Sequence, residues 1–247
     1  MFFFNRNKTV LKDLIPDNHI DFHSHLLFGI DDGAKTFEDT LSLTNAMMDF
    51  GVKEFITTPH IIQHVWENNR KIITAKKDEV VSLLQKKDIN LPFKAAAEYL
   101  MDDHFVKLFQ SEQLLTLKDN YVLVEMSYIN APIQLYDILF DLQVAGYKPV
   151  LAHPERYVFY HKNFSEYSKL KKAGCLFQLN ILSTVGYYGE GVFVTAKKLL
   201  ESGMIDFVGS DVHHKKHIEA FSNKVDIKDL TPFKEAISKN QFFAVAK

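Results

Sequence analysis

The stretch HIDFHSHLLFGIDDG, which runs from 19 to 33, places His23 and His25 shortly before the adjacent aspartates Asp31 and Asp32. Its first residues alternate as in a short β-strand, and side chains two positions apart on a strand point to the same face. We therefore expect His23 and His25 to converge, and two neutral imidazoles aimed at one point are suited to hold a metal ion. A hydrogen-bonded or solvated pair explains this motif equally well, so the rest of the chain has to decide.

Histidines and carboxylates also stand at the ends of the later apolar runs that predict strands. They are Asp31 and Asp32 in the loop after the first strand, then His60, Glu98, Glu125, His153, Asp211 and His213, with Arg156 three positions after His153 and Asn180 and Ser183 after the sixth strand. Chemistry in parallel barrels is found at the C-terminal ends of the strands, so these side chains should meet at one rim. Buried carboxylates without partners are costly, which favours one shared site over accidental placement.

The donor types define the chemistry of this expected site. Imidazole and carboxylate groups without thiolates suit manganese, zinc or iron, and about nine donors are enough for two or three ions. Such a cluster suits the hydrolysis of a phosphate ester, because the ions bind phosphate oxygens and generate a hydroxide nucleophile. The guanidinium group of Arg156 matches phosphate oxygens. Its alternative role is a salt bridge with Glu155 or another acid.

Strand-like and helix-like segments alternate along the whole chain without a linker or a change in composition. Alternating β and α segments predict a parallel sheet, and the unbroken pattern favours one closed barrel over two open sheets. We predict an α/β fold, a single distorted TIM-like (β/α)7 barrel with a metal site at the C-terminal rim of its strands. The whole chain, 1–247, forms one domain in this interpretation, with 1–18 as an N-terminal extension. The closing segment FFAVAK is a candidate for an additional short strand.

Composition excludes several other classes of protein. The 247 residues are 47% hydrophobic with a formal net charge of -2, which is typical of a globular protein and not of a bulk nucleic-acid binder. The single cysteine, Cys175, cannot form an internal disulfide, and Ile181 occupies the position where a C-x5-R phosphatase loop needs arginine. The sequence shows no signal peptide and no apolar run of about 20 residues, so we expect a cytoplasmic protein without a transmembrane segment.

Six motifs together resemble one known superfamily. They are DFHSHLLFGIDDG, TTPH, AAAEYL, VLVEMS, LAHPERY and GSDVH, and they span the chain from about 19 to 213. Their order is similar to that of the PHP (polymerase and histidinol phosphatase) superfamily. Their local context resembles most its capsule-type branch, the CpsB/CapC/YwqE-like manganese-dependent protein-tyrosine phosphatases.

The resemblance implies a seven-stranded barrel with three metal positions. By motif, the three positions would use His23, His25, Glu98 and Asp211; then Glu98, Glu125 and His153; then Asp32, His60 and His213. Glu98 would bridge two ions, and Arg156, Asp211 and His213 would be catalytic, with Arg156 contacting the phosphate. Some relatives carry a second arginine shortly after the SDxH histidine, whereas this chain has Lys215 and Lys216 there. Lysine cannot supply the same bidentate contact.

The resemblance implies hydrolysis of phosphotyrosine in proteins, with Mn²⁺ as the cofactor and Zn²⁺ or Fe as alternatives. The implied partner is a bacterial tyrosine autokinase of polysaccharide export. A small-molecule phosphatase acting on a substrate such as histidinol phosphate is the alternative within the same reaction class. A metal-binding module without turnover and a PHP nuclease are further alternatives. The complete ligand set argues against the module, and the neutral charge argues against the nuclease.

Residues outside this set have ordinary structural interpretations. The remaining histidines, His19, His64, His104, His161, His214 and His217, are expected on the surface or in loops, with His214 and His217 near enough to support the site. The aromatic residues Phe28, Trp66, Tyr128, Tyr187 and Tyr188 follow strand ends. They would line an apolar wall for an aromatic ring or pack in the core and loops.

Overall fold

The computed structural model describes residues 9–244, which form short parallel strands surrounded by helices. The strands are β1 (His19–Asp21), β2 (Val52–Thr57), β3 (His60–Ile61), β4 (Phe93–Ala95), β5 (Glu98–Leu100), β6 (Tyr121–Glu125), β7 (Lys148–Ala152), β8 (Leu176–Asn180) and β9 (Phe207–Gly209). The helices are α1 (Phe37–Asp49), α2 (Arg70–Gln85), α3 (Asp103–Ser111), α4 (Leu135–Val144), α5 (Ser165–Lys172), α6 (Glu190–Glu201), α7 (Lys215–Ala220) and α8 (Thr231–Lys239). Among these residues, no helix is long and apolar enough to cross a bilayer.

The strands form two parallel sheets, in the orders β1-β2-β4 and β3-β5-β6-β7-β8-β9. Two of the seven predicted strands are each divided into two pieces, which gives nine strands among residues 9–244. Pro59 separates β2 from β3, because proline has no N–H for the ladder. Backbone bonds still cross the break, since the Glu98 N–H donates to the Pro59 carbonyl at 3.1 Å. The predicted α/β class with parallel strands is confirmed.

The first and last strands meet beyond their regular ends. β1 ends at Asp21, whereas the sequence predicted a strand that continues to His25. The backbone continues alongside the chain after β9 through a parallel bridge between Ser24 and Val212. The His25 N–H donates to the Val212 carbonyl at 2.9 Å, and the Asp211 N–H donates to the His23 carbonyl at 2.7 Å. These bonds bring the first and last metal-ligand motifs together.

The C-terminal segment fills one end of the strand layer instead of adding a strand. Asn240–Phe243 forms a short 3-10 helix, so the strand considered for FFAVAK is wrong as far as Ala244, and its last residues lie outside the described part. The Phe243 ring packs 4.3 Å from that of Phe22 and 4.9 Å from that of Phe207, measured between ring centroids. This aromatic cluster closes the interior near the starts of the strands, opposite the rim where the polar residues lie.

The helices differ from the predicted ones mainly at their ends. α1 begins with a capping box in which Thr36 and Asp39 exchange side-chain and backbone hydrogen bonds. α4 begins at Leu135, three residues after the predicted start at Pro132, while α8 agrees with its predicted range, Thr231–Lys239. The short helix α7 was not predicted. It has only six residues, too few for a clear apolar period.

Candidate metal centre

The rim at the strand ends carries three overlapping groups of imidazole and carboxylate side chains. Within each group, one potential ligand atom from every residue lies within 4.8 Å of the others. The groups are His23, His25, Glu98 and Asp211; His60, Glu98 and Glu125; and His25, Asp32, His60 and His213. Eight of the nine predicted ligand residues are therefore brought together, although they are spread over almost 200 positions of the chain.

Glu98 lies at the centre of the rim and is fully buried. Its Oε2 atom is 3.2 Å from His23 Nε2, 3.4 Å from His25 Nε2 and 3.3 Å from His60 Nδ1. Its other oxygen, Oε1, is 3.0 Å from Nε2 of His153, the ninth predicted ligand. One carboxylate thus faces both neighbouring groups, which is the geometry that a bridging ligand requires.

His60 belongs to the ligand group that its motif implied and also to a second one. The motif assigned it to the third metal position with Asp32, and its Nε2 atom does lie 3.5 Å from Asp32 Oδ1. Its Nδ1 atom, however, lies 3.0 Å from Glu125 Oε1, in the second group. The break at Pro59 moves His60 into register with Glu98 on β5 and so places its ring between two groups.

The opposite charges in this buried site stabilise each other. Burial by itself lowers the pKa of His23, but Glu98 and Asp211 raise it to about 10. Burial would likewise raise the pKa of Glu98, yet His23 and His60 hold it well below its usual range. Burial lowers the pKa of His153, which favours the neutral imidazole that binds metals. Glu98 therefore remains anionic at neutral pH, as a ligand of a cation must.

Several buried polar atoms of the rim are not satisfied by the protein. Among the described residues, His25 Nε2, His60 Nδ1, His153 Nδ1 and Glu125 Oε1 are buried without a hydrogen-bond partner. His60 Nδ1 and Glu125 Oε1 are close, but they are not aligned for a hydrogen bond. Each unsatisfied buried group costs about 1–3 kcal/mol, so a cluster of them needs a compensating ligand. Divalent cations that accept nitrogen and oxygen ligands fit this donor set.

Two residues without a predicted role orient the converging histidines. Asp31 Oδ2 lies 2.8 Å from His25 Nδ1, and Gln178 Oε1 lies 2.6 Å from His23 Nδ1. Each oxygen accepts the Nδ1 proton and leaves Nε2 free to face Glu98, as supporting groups of metal-bound histidines do. The sequence contained a signal for each of these residues. Gln178 is a polar residue inside the apolar run CLFQLNIL, and Asp31 is the first acid of the DDG motif.

The backbone is strained at two of the predicted ligands. His153 has φ 35° and Asp211 has φ 51°, both in the left-handed region that non-glycine residues rarely adopt. Such conformations cost about 1–3 kcal/mol and persist where surrounding contacts enforce them, often at functional sites. The strain turns both side chains into the rim directly after β7 and β9.

Arg156 is held in a fixed orientation beside the rim. Its Nη1 donates to Asp211 Oδ2 at 2.7 Å, so the acid that it pairs with is Asp211 and not Glu155. Its guanidinium lies between two aromatic rings, 4.8 Å from the centroid of Tyr128 and 4.2 Å from that of Tyr188. Two of the three tyrosines of the expected apolar wall thus flank the arginine, which favours such stacking more than lysine does.

Other polar residues support the same carboxylate. Asn180 Nδ2 donates to Asp211 Oδ2 at 2.8 Å. Buried Glu155 accepts hydrogen bonds from the Asn180 N–H at 3.0 Å and from the Ser183 hydroxyl at 2.7 Å. Asn180, which follows the sixth predicted strand, therefore holds Oδ2 of Asp211 and leaves Oδ1 facing the histidines. Ser183 binds Glu155, which in turn accepts the Asn180 N–H.

Two of the histidines expected on the surface or in loops are buried. His217 is buried, and its Nδ1 accepts a hydrogen bond from the His213 N–H at 3.1 Å, so it lies next to the rim as expected. His19 is also buried, and the prediction for it is wrong. Lys215 is exposed and lines a cavity of about 280 Å³ beside Asp32 and His213.

Comparison with known proteins places the chain in a family. The sequence model of the capsular polysaccharide synthesis family CpsB/CapC matches residues 19–222. The chain belongs to this family. The tyrosine-protein phosphatase YwqE of Bacillus subtilis (strain 168) is 32% identical to it over 198 residues, which are 80% of this chain and 78% of YwqE. The tyrosine-protein phosphatase CpsB of Streptococcus pneumoniae is 28% identical over 203 residues, 79% of this chain and 83% of that protein.

Solved structures of CpsB/CapC proteins have the same fold. Crystal structures of YwqE from Bacillus subtilis and CpsB from Streptococcus pneumoniae, described as unique metal-dependent tyrosine phosphatases, match with a TM-score of 0.76 and 29% identity. The match covers 91% of this chain and 88% of the other. Histidinol phosphate phosphatase from Lactococcus lactis shares the fold at 12% identity with a TM-score of 0.52. The resemblance to the capsule-type branch is confirmed.

Proposed function

We propose that this chain is a metal-dependent phosphomonoesterase that removes phosphate from phosphotyrosine in proteins. The observation that carries the proposal is the set of three overlapping ligand groups around buried Glu98. The relatives of this chain, CpsB and YwqE, are named tyrosine-protein phosphatases, which supports phosphotyrosine as the substrate.

The ligand groups assign residues to the cations. His23, His25, Glu98 and Asp211 would hold the first, Glu98, Glu125 and His153 the second, and Asp32, His60 and His213 the third, with His60 also near the second. When bound, divalent cations bind phosphate oxygens and generate a hydroxide near neutral pH. We propose Mn²⁺, which suits mixed imidazole and carboxylate ligands, with Zn²⁺ or Fe as alternatives.

The protein's own residues prepare the rim for a phosphoryl group. Asp31 and Gln178 fix the rings of His25 and His23, so no reorientation is needed when substrate binds. Arg156 uses Nη1 on Asp211, and its remaining N–H groups are suited to meet the charge that develops on the phosphate oxygens. The half-exposed ring of Tyr128 gives the substrate's phenyl ring an aromatic surface at the edge of the site.

The biological setting belongs to the same proposal. The family description concerns capsular polysaccharide synthesis, which supports a bacterial tyrosine autokinase of polysaccharide export as the phosphotyrosine partner. Such a partner would expose its phosphotyrosines in the cytoplasm, where we place this chain as a single barrel domain. A balanced net charge of -2 gives no support to nucleic acid as a partner.

A direct comparison of substrates tests the proposal. With Mn²⁺ added, kcat/KM for a phosphotyrosine peptide is expected to exceed that for histidinol phosphate by about tenfold or more, because the aromatic surface binds a phenyl ring. A preference for histidinol phosphate would identify a small-molecule phosphatase. Bound metal without turnover of either compound would identify a metal-binding module.

Arg156 is expected to act on the phosphate and not on the metals. Arg156→Ala should lower turnover of an aryl phosphate by on the order of 10²-fold, as expected for one lost donor to developing charge. The metals should remain, since Asn180 still holds Asp211 Oδ2. Arg156→Lys should recover only part of the activity, because an ammonium group lacks the bidentate geometry.

The prediction is tested by measuring turnover of an aryl phosphate and the bound metal, by elemental analysis, for the wild-type protein and both Arg156 variants. Arg70→Ala serves as the control, because Arg70 binds the carbonyls of Gln113 and Leu114 and belongs to none of the ligand groups. Loss of metal from Arg156→Ala would show that the arginine only braces Asp211. Unchanged kinetics would show that the ion pair has no part in the reaction.

A further inference from the structure

A second cavity opens next to the metal rim. It has a volume of about 570 Å³, within the range of about 300–1,000 Å³ that is typical of pockets for small ligands. Its apolar lining comes from Leu100, Met101, Pro132, Ile133 and Ile138. None of these residues belongs to the predicted ligand set, so the phosphate chemistry leaves this cavity unexplained.

The cavity adjoins the strand ends that carry the second ligand group. Its walls come from the segments that directly follow β3, β5 and β6, the strands that carry His60, Glu98 and Glu125. Leu100 is paired with Glu125 in the parallel register of β5 and β6, and the Met101 N–H donates to the Glu125 carbonyl at 2.9 Å. Neighbouring strands are about 4.8 Å apart, so this part of the cavity wall lies next to the strand that carries Glu125.

The charges around the cavity restrict what it can bind. Its charged lining residues are Asp102 and Asp103, and no lysine or arginine within residues 9–244 lines it. Asp102 also caps α3 by accepting the Phe105 N–H at 2.8 Å, which fixes that carboxylate at the wall. Like charges repel, so a second phosphate or an acidic side chain is disfavoured here. The smaller cavity beside Asp32 differs, because Lys35 and Lys215 line it.

Exposed isoleucines at the cavity indicate which kind of group it attracts. The Ile133 side chain is fully exposed at the cavity wall, and Ile129, one residue before the lining residue Asn130, is largely exposed as well. Covering an aliphatic side chain removes apolar surface from water and is therefore favourable. An apolar side chain that enters the cavity would therefore gain from burying both itself and Ile133.

We propose that this cavity binds an apolar side chain of the polypeptide substrate, located within about four residues of the phosphotyrosine. About four residues of extended chain span roughly 13 Å, enough to reach from the rim into an adjoining cavity. The inference rests on the proposed function, since it assigns the sequence context that the same site selects. An apolar subsite would let the enzyme prefer peptides with a suitable residue near the phosphotyrosine, a preference that the metal cluster alone cannot supply.

A set of matched phosphopeptides tests this subsite. Each peptide carries phosphotyrosine in an alanine background, with one leucine or one aspartate placed in turn at each flanking position. Wild-type protein with Mn²⁺ should show a kcat/KM about tenfold higher for leucine than for aspartate at one or more positions. Ile133→Ser should lose most of this preference while its turnover of free phosphotyrosine stays unchanged.

Val144→Ser is the matched control, because Val144 is an exposed aliphatic residue at the far end of α4 and does not line the cavity. It should keep the full leucine preference. Equal rates for leucine and aspartate at every position, or equal losses in the two variants, would overturn the subsite while turnover of free phosphotyrosine upholds the proposed function. Failure to hydrolyse free phosphotyrosine would contradict the proposed function itself, and the subsite with it.

Discussion

Replacing Asp211 by asparagine is expected to lower phosphotyrosine turnover by about 10³-fold, because an anionic metal ligand is lost from the buried centre of the rim. Asp211 Oδ1 lies 3.3 Å from His23 Nε2 and 3.4 Å from His25 Nε2, so it completes the first ligand group. A neutral amide binds a divalent cation more weakly than a carboxylate does. The remaining ligands would no longer hold the cation in the position that activates water.

The fold should survive this substitution. Asparagine has nearly the same shape as aspartate and tolerates the left-handed conformation that Asp211 adopts at φ 51°. Its side-chain oxygen can still accept hydrogen bonds from Arg156 and Asn180, which now bind Oδ2. We therefore expect a melting temperature close to that of the wild-type protein when both are measured without metal.

Three measurements test the prediction for Asp211→Asn. They are kcat on a phosphotyrosine peptide, metal content by elemental analysis, and thermal unfolding. Asp229→Asn provides the control, because Asp229 is exposed and its hydrogen bonds are to the backbone N–H and side chain of Thr231. It makes the same chemical change far from the rim and should leave turnover unaltered. Near-wild-type turnover of Asp211→Asn with metal still bound would remove Asp211 from the ligand set.

The sequence was sufficient to predict which residues meet because parallel strands deliver their C-terminal ends to one rim. Glu98, Glu125 and Asp211 each follow a short buried run, and such runs are easy to recognise even when the strands are short. The helix ranges followed from similar reasoning wherever capping or stop signals were present, as for the capping box at Thr36.

Features that depend on tertiary contacts were not predictable in the same way. Pro59 was visible in the sequence, but its consequence, that His60 pairs with β5 in the other sheet, depends on where the neighbouring strands lie. Gln178 and Asp31 acquire their roles only when His23 and His25 are placed beside them. Phe243 was interpreted as part of a possible strand, because an aromatic run cannot distinguish a strand from a segment that fills the interior.

Removing metal from the intact protein is expected to abolish phosphatase activity, which is the largest effect of all. The rim contains buried histidine and carboxylate atoms that the protein does not satisfy, and among the described residues the one cysteine, Cys175, is buried and unpaired. Burial raises the pKa of the Cys175 thiol to about 12, so it is not a thiolate nucleophile at neutral pH. No side chain of the rim replaces the hydroxide that bound cations would generate.

The most direct test is turnover of a phosphotyrosine peptide by protein treated with a chelator, followed by dialysis and addition of Mn²⁺. Far-ultraviolet circular dichroism before and after treatment checks that the fold persists. We expect turnover to fall to background in the chelator and to return with Mn²⁺ in proportion to the metal bound. Full turnover in the chelator, with no metal detected in the protein, would contradict a metal-dependent phosphatase centre at this rim.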